Sequence, residues 1–317
     1  MGKHRAEAAA PAVLGDLSML LGVLDLEETG ADEYRGTQPR QTAARTFGGL
    51  LMAQAIIAGG RTVDAVAAAK SADRGKPVEP LRLHAVNGHF IRGGEIDADI
   101  DYRVTRLRDG ASISNRLVEV SQGGELLCSI LLSYTSDKPG LEHQPELSAV
   151  ASMPAPETLP GLTEVLAGYE SNLGWFVDAI RPIEFRYAND PAWIQKATGE
   201  QLGHNRVWMR PDGVVPADPN VQAALLAYTS DTTLLDSILT SHGLSWGLDR
   251  VVVATINHSM WLHRPLQFDD WLLYSTESPV AAGTRGLATG RFIRGDGQLV
   301  ASVAQECVVR HFAAREN

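Results

Sequence analysis

One strand-rich pattern occurs twice in this 317-residue chain, and a repeat that long leaves few architectures open. The first copy holds His89-Phe90-Ile91-Arg92-Gly93, Gly110-Ala111-Ser112 and Gly124-Glu125-Leu126-Leu127-Cys128-Ser129. The second holds Trp261-Leu262-His263-Arg264-Pro265, Gly283-Thr284-Arg285 and Gly297-Gln298-Leu299-Val300-Ala301-Ser302. Arg92 and Arg264 lie 172 positions apart, and Ser129 and Ser302 lie 173 apart. Solenoid units run to roughly 20–50 residues, so this is a duplicated domain. Two fused halves can build one site at their junction while the matching site decays. Differences between the copies therefore point at chemistry.

The order of elements is similar in both copies. Residues 1–14 read as a disordered tail and 17–26 as a short amphipathic helix. Phe47-Gly48-Gly49 opens a longer apolar helix through Leu51, Ala55 and Ile56, expected to stop near Gly59-Gly60. Strands are expected over 83–91, 96–107, 112–122 and 126–135, with turns at Arg108-Asp109-Gly110 and Gly123-Gly124. A proline-rich linker is assigned to 138–175. The second copy reads as strands at 183–187 and 206–210, a helix over 220–239, and strands from 251 to 310. The fold class is α+β, with domains over 15–137 and 176–317, each a long helix followed by an antiparallel sheet.

A net charge of −10 argues against nucleic-acid binding and against adsorption to anionic membranes. Cys128 and Cys307 sit in separate apolar runs and read as buried thiols in a reducing compartment. No run approaches the roughly 18 apolar residues of a membrane span. No secretory, myristoylation or peroxisomal signal is read, so the expectation is a cytoplasmic protein.

Three polar residues intrude on apolar faces of the second copy. On a helical wheel Val221, Ala224, Leu225, Tyr228, Thr232, Leu235 and Leu239 form a core stripe, and Asp231 falls at its edge. In the last strand Leu299, Ala301, Val303, Cys307 and Val309 alternate on one face, with Gln305 among them. Thr255 shares a face with Val251 and Val253. The repeat spacing sets Leu83 opposite Thr255 and Leu132 opposite Gln305, and aligning Ile56 with Ile238 sets Gly49 opposite Asp231. A carboxylate in a partly dry pocket can orient a water and take its proton, while a hydroxyl and an amide hold that water without charge. Helix-start amides at Gly48 and Gly49 are candidates for a developing oxyanion. The alternative for Ser230-Asp231-Thr232-Thr233 is a helix cap, with Gln305 a buried structural amide and Thr255 an ordinary strand residue.

Other signals are weaker. Asn257, His258 and His263 lack a carboxylate or cysteine at ligand spacing, so no metal is expected and the histidines read as structural. Arg103, Arg106, Arg108 and Arg116 read as a solvated strand face rather than a phosphate site. No Gly-x-Ser-x-Gly elbow or reactive-cysteine motif supports a covalent acyl-enzyme.

Arg45-Thr46-Phe47-Gly48-Gly49, Phe90-Ile91-Arg92, Thr105-Arg106-Leu107-Arg108-Asp109-Gly110 and Glu142-His143-Gln144 resemble the N-terminal half of acyl-CoA thioesterase II. Arg181-Pro182-Ile183-Glu184-Phe185, Tyr228-Thr229-Ser230-Asp231, the run from Ala254-Thr255-Ile256-Asn257 through His258-Ser259-Met260-Trp261-Leu262-His263-Arg264-Pro265, and Val303-Ala304-Gln305-Glu306 continue the resemblance. It implies a double hotdog, a hydrolase cleaving acyl-CoA to acid and CoA without metal or redox cofactor, and a homo-oligomer (dimer or tetramer). It also implies water activation by Asp231, Thr255 and Gln305. Departures from the family pattern are Asn257 for Asp, Leu50 for Gln, Asn87-Gly88 before His89-Phe90, and Gly93 for Pro. They point to an altered substrate range, with Asn257 removing a charge near the site.

Two alternatives stand beside this reading. A hotdog enoyl-CoA hydratase or dehydratase would use His89, but here the helix precedes that segment and Ala53-Gln54 supplies no acid. A non-catalytic acyl-CoA-binding module would not need the trio.

Overall fold

The computed structural model describes residues 17–39, 45–146, 152–177 and 182–312. The tail assigned to 1–14 and the Arg181 of the sequence resemblance lie outside them. Helix α1 (Leu17–Leu24) buries Leu17, Leu20 and Leu24. A hairpin the sequence reading did not anticipate follows, β1 (Glu27–Gly30) and β2 (Glu33–Gly36). The central helix α2 (Gly48–Arg74) leads into β3 (Arg82–Phe90), β4 (Ile100–Asp109), β5 (Ile113–Gln122) and β6 (Glu125–Thr135). After two short helices, α3 (Leu162–Val165) and α4 (Gly174–Val177), come β7 (Ile183–Tyr187), α5 (Ala192–Thr198) and β8 (His204–Pro211). The second central helix, α6 (Pro219–Ser230), and the short α7 (Asp236–Thr240) precede β9 (Val251–Leu262), β10 (Leu272–Ala282), β11 (Arg285–Arg294) and β12 (Leu299–His311). This is a double hotdog.

The twelve strands form one antiparallel sheet in the order β1-β2-β4-β5-β6-β3-β9-β12-β11-β10-β8-β7. The halves join where residues 85–89 of β3 pair with 257–261 of β9. The middle pair is Asn87 opposite Ser259, 172 positions apart, so the repeat axis passes through it. Each half also carries one extra residue at the same point of its ladder. His84 bulges between Leu83 and Ala85, and Ile256 bulges between Thr255 and Asn257, again 172 apart. Leu83 is therefore the true counterpart of Thr255.

Helix α2 runs on to Arg74 instead of stopping at Gly59-Gly60. A Cβ on Gly59 would lie 2.4 Å from Leu132 Cδ1, and one on Gly60 2.5 Å from Asn220 Cγ. These glycines admit close neighbours within a continuing helix, and Gly75 (φ +62°) ends it. α2 is apolar enough by composition to cross a bilayer, but 78% of its most apolar window is buried in this fold.

The helix expected over 220–239 is two helices. Asp218 caps α6, its Oδ1 accepting from Asn220 N and Val221 N, with Pro219 at the first turn. At the other end Thr229 Oγ1 donates to Leu225 O, Ser230 Oγ to Ala227 O and Thr232 Oγ1 to Thr229 O. Successive side chains drawing on last-turn carbonyls end the helix at Asp231. The Ile56–Ile238 alignment is therefore wrong, because Ile238 belongs to α7. The starts of the central helices, Gly48 and Pro219, lie 171 positions apart, which sets the Gly59-Gly60 pair, not Gly49, opposite Asp231.

Candidate active site

Asp231 follows the last turn of α6 with its side chain only 7% exposed. Its Oδ2 accepts from the Gly49 N–H at 2.8 Å, across the junction of the two halves. Its Oδ1 accepts from Gln305 Nε2 at 2.7 Å, and the same Nε2 donates to Thr255 Oγ1 at 2.7 Å. The three polar intruders of the second copy thus meet in one hydrogen-bonded cluster. Burial pushes the Asp231 carboxyl from 3.8 up to about 6, while the hydrogen bonds from Gln305 and Gly49 pull it down. A carboxylate near that value is ionised at neutral pH and still basic enough to take a proton.

The glycines of α2 allow the approach. A Cβ on Gly48 would stand 2.9 Å from Asp231 Oδ2 and 3.2 Å from the Phe90 ring. One on Gly49 would stand 2.8 Å from Tyr228 O and 2.6 Å from the Phe47 ring. Phe47 has no capping side chain, so Asp231 of the other half serves the helix start instead. Charge and helix dipole favour each other there. The Gly49 amide is thereby committed to Asp231, which leaves Gly48 N–H as the helix-start donor. Phe47 and Tyr228 pack edge to face, with centroids 5.0 Å apart, beside this helix start.

His258, read from sequence as structural, belongs to the same cluster. It is fully buried, with Nε2 2.9 Å from Ser230 Oγ and Nδ1 3.8 Å from Asp231 Oδ1. Burial lowers its pKa from 6.5 to about 4, against a smaller upward pull from Gln305, so the ring is neutral. The Ile256 bulge brings it onto the Thr255 face; strict alternation would have put it on the other. Its counterpart in the first half is Val86, also fully buried.

Asn257 faces the opposite way. Its amide meets Glu306, at 3.3 Å to Oε2, so the departure from the family residue removes no charge from the cluster. His89 is exposed and does not join the site, which leaves the dehydratase reading without its histidine. Leu299 also departs from the expected face, packing with Trp208, Trp271, Leu273 and Ile293. Among the arginines, Arg103 and Arg106 pair with Glu33 and Asp32. Arg116 is fully buried against Thr62 and Asp109, a structural ion pair and not part of a solvated face.

A family model described as acyl-CoA thioesterase matches residues 176–308, and one described as the acyl-CoA thioesterase N-terminal domain matches 37–135. The chain is 33% identical to acyl-coenzyme A thioesterase 8 of Mus musculus, over 98% of this chain and 95% of that protein. It is 31% identical to acyl-CoA thioesterase 2 of Haemophilus influenzae, over 93% of this chain and 98% of that protein. Its fold is similar to that of the acyl-CoA thioesterase II TesB2 from Mycobacterium marinum. For that structure the TM-score is 0.69 and the identity 30%, with 94% of this chain and 100% of the other covered.

Proposed function

The chain belongs to the acyl-CoA thioesterase family and hydrolyses acyl-CoA thioesters, and from that premise we propose that Asp231, Thr255 and Gln305 carry out the reaction on a bound water. The observation that supports this is the cluster itself. A buried carboxylate of raised pKa is tied at 2.7 Å to Gln305, which is tied at 2.7 Å to Thr255. Asp231 takes a proton as the water oxygen bonds to the acyl carbon. The C–S bond then breaks, and the CoA thiolate recovers that proton. Thr255 holds the water through its hydroxyl hydrogen, Gln305 fixes Asp231 and Thr255 around it, and the Gly48 amide meets the developing oxyanion. A thiolate leaves readily, so no strong general acid is required. The Gly49 amide stabilises the Asp231 carboxylate, a different role from the oxyanion contact first assigned to it.

We extend the proposal to fatty acyl chains and to a cytoplasmic setting, which the free, buried Cys128 and Cys307 support. A homodimer or homotetramer is proposed by family analogy alone. Thiol release from a panel of saturated acyl-CoAs, with Asp231→Asn alongside, tests the assignment. Turnover by the native protein that collapses in the folded variant is expected. Near-normal turnover by the variant would remove Asp231 from the role of base.

A further inference from the structure

Two buried polar atoms beside Asp231 have no hydrogen-bond partner among the described residues, His258 Nδ1 and Gln305 Oε1. Their residues stand directly opposite one another in the β9–β12 ladder, and both are fully buried. One proton on Nδ1 would satisfy both atoms. The other ring nitrogen lies 2.9 Å from Ser230 Oγ, whose one hydrogen has two acceptors in reach, Ala227 O at 2.8 Å and Nε2; with the proton on Nδ1 it turns from the carbonyl to Nε2. Were Nε2 to carry the proton, Nδ1 and Oε1 would face one cluster as two bare acceptors, which is costly in a buried site.

The repeat supports a joint role. At the same two positions the first half has Val86 and Leu132, an apolar pair with neither an amide to orient nor a histidine to orient it. The amide and the imidazole are present together or absent together. Without a donor on Oε1, the Gln305 amide could rotate and turn its oxygen toward the Asp231 carboxylate.

Building on the water-activation reading above, we propose that His258 is a positioning residue. Its Nδ1–H holds Gln305 Oε1 and so fixes the amide with one Nε2 hydrogen on Asp231 and the other on Thr255. The imidazole is neutral and moves no proton during the reaction. Asp231 is faced by His258 from β9, Gln305 from β12 and the Gly49 amide from α2. Tyr228 on its own helix and Tyr274 on β10 are the other titratable groups that feel its charge. Both hydroxyls are pushed above their ordinary range by burial first and by Asp231 second. Neither ionises near neutral pH.

The test has two arms. ¹⁵N spectra of histidine-labelled native protein report which ring nitrogen of His258 is protonated, and need no variant to fold and no activity. Kinetics then compare His258→Val, which copies Val86, with His258→Asn, whose amide returns an N–H near the Nδ1 position. The Nδ1–H tautomer is expected. His258→Val should lower kcat by about 10- to 100-fold, the loss of one hydrogen bond to a charged group. It should leave KM nearly unchanged and move the acid limb of the kcat profile to higher pH, because Asp231 loses the Gln305 hydrogen. His258→Asn should recover most of kcat and return the limb. An Nε2–H tautomer, or an acid limb unmoved in His258→Val, overturns the proposal. Failure of the underlying reading would show separately, as normal turnover in Asp231→Asn.

Discussion

Asp231→Asn should make the protein more stable at alkaline pH while nearly abolishing turnover. The native carboxyl is raised from 3.8 to about 6, first by burial. A carboxyl raised in the folded state contributes most below its unfolded value, and that contribution is lost as pH rises through about 6. A shift of about two units corresponds to about 3 kcal/mol of unfavourable burial at pH 8. Asparagine carries no such charge. However, its NH₂ must face either the Gly49 N–H or Gln305 Nε2, both of which now donate to the carboxylate. That mismatch returns about 1 kcal/mol. A net gain of about 2 kcal/mol is expected at pH 8, giving way to a loss of up to about 1 kcal/mol near and below pH 4, where the native carboxyl is neutral and only the mismatch remains. Urea unfolding of both proteins at the two pH values measures it. Turnover should fall by about 10²–10⁴-fold, the usual share of a general base, and native kcat should rise with pH to a plateau above about 6. A stability difference that does not change with pH would refute the raised carboxyl. Turnover within a few-fold of native would refute its role.

Two further substitutions follow from the same geometry. Thr255→Val keeps the shape but leaves one Gln305 Nε2 hydrogen without its acceptor at 2.7 Å. A drop in kcat of about 10-fold is expected, together with a stability loss of about 1–3 kcal/mol from the stranded buried donor, with Thr255→Ser restoring both; equal loss in both variants would contradict the hydroxyl's role. Gly49→Ala forces a Cβ to within 2.8 Å of the Tyr228 carbonyl, so a loss of about 1–3 kcal/mol in urea unfolding is expected. Gly140→Ala, with nothing within 4 Å of the added Cβ, is the neutral control.

The duplication was legible because its spacing survives in both sequence and register, from Arg92–Arg264 to the Asn87–Ser259 pair at the centre of the sheet. Asp231, Thr255 and Gln305 were legible because each is polar where its own face is apolar. His258 escaped the same test for a specific reason. The bulge at Ile256 reverses the alternation, so counting from Thr255 sends His258 to the wrong face. Nothing in the local sequence announces a one-residue bulge, although its twin at His84 marks it once the ladder is known. The break in the second central helix was hidden similarly. A wheel assumes one continuous helix, whereas the hydroxyls of Thr229, Ser230 and Thr232 terminate it by competing for backbone carbonyls. The glycines of α2 misled in the other direction. Gly59-Gly60 reads as a stop, but its lack of side chains serves contact with Leu132 and Asn220.

In the proposed mechanism water attacks the thioester directly under the control of Asp231. A single turnover in H₂¹⁸O, with enzyme in excess over acyl-CoA, tests it most directly. One ¹⁸O atom is expected in the acid released by that first turnover and none in the peptide bearing Asp231. Unlabelled acid from the first turnover, with ¹⁸O appearing in the Asp231 carboxylate, would mean that the carboxylate attacks the acyl group itself, and would contradict the account.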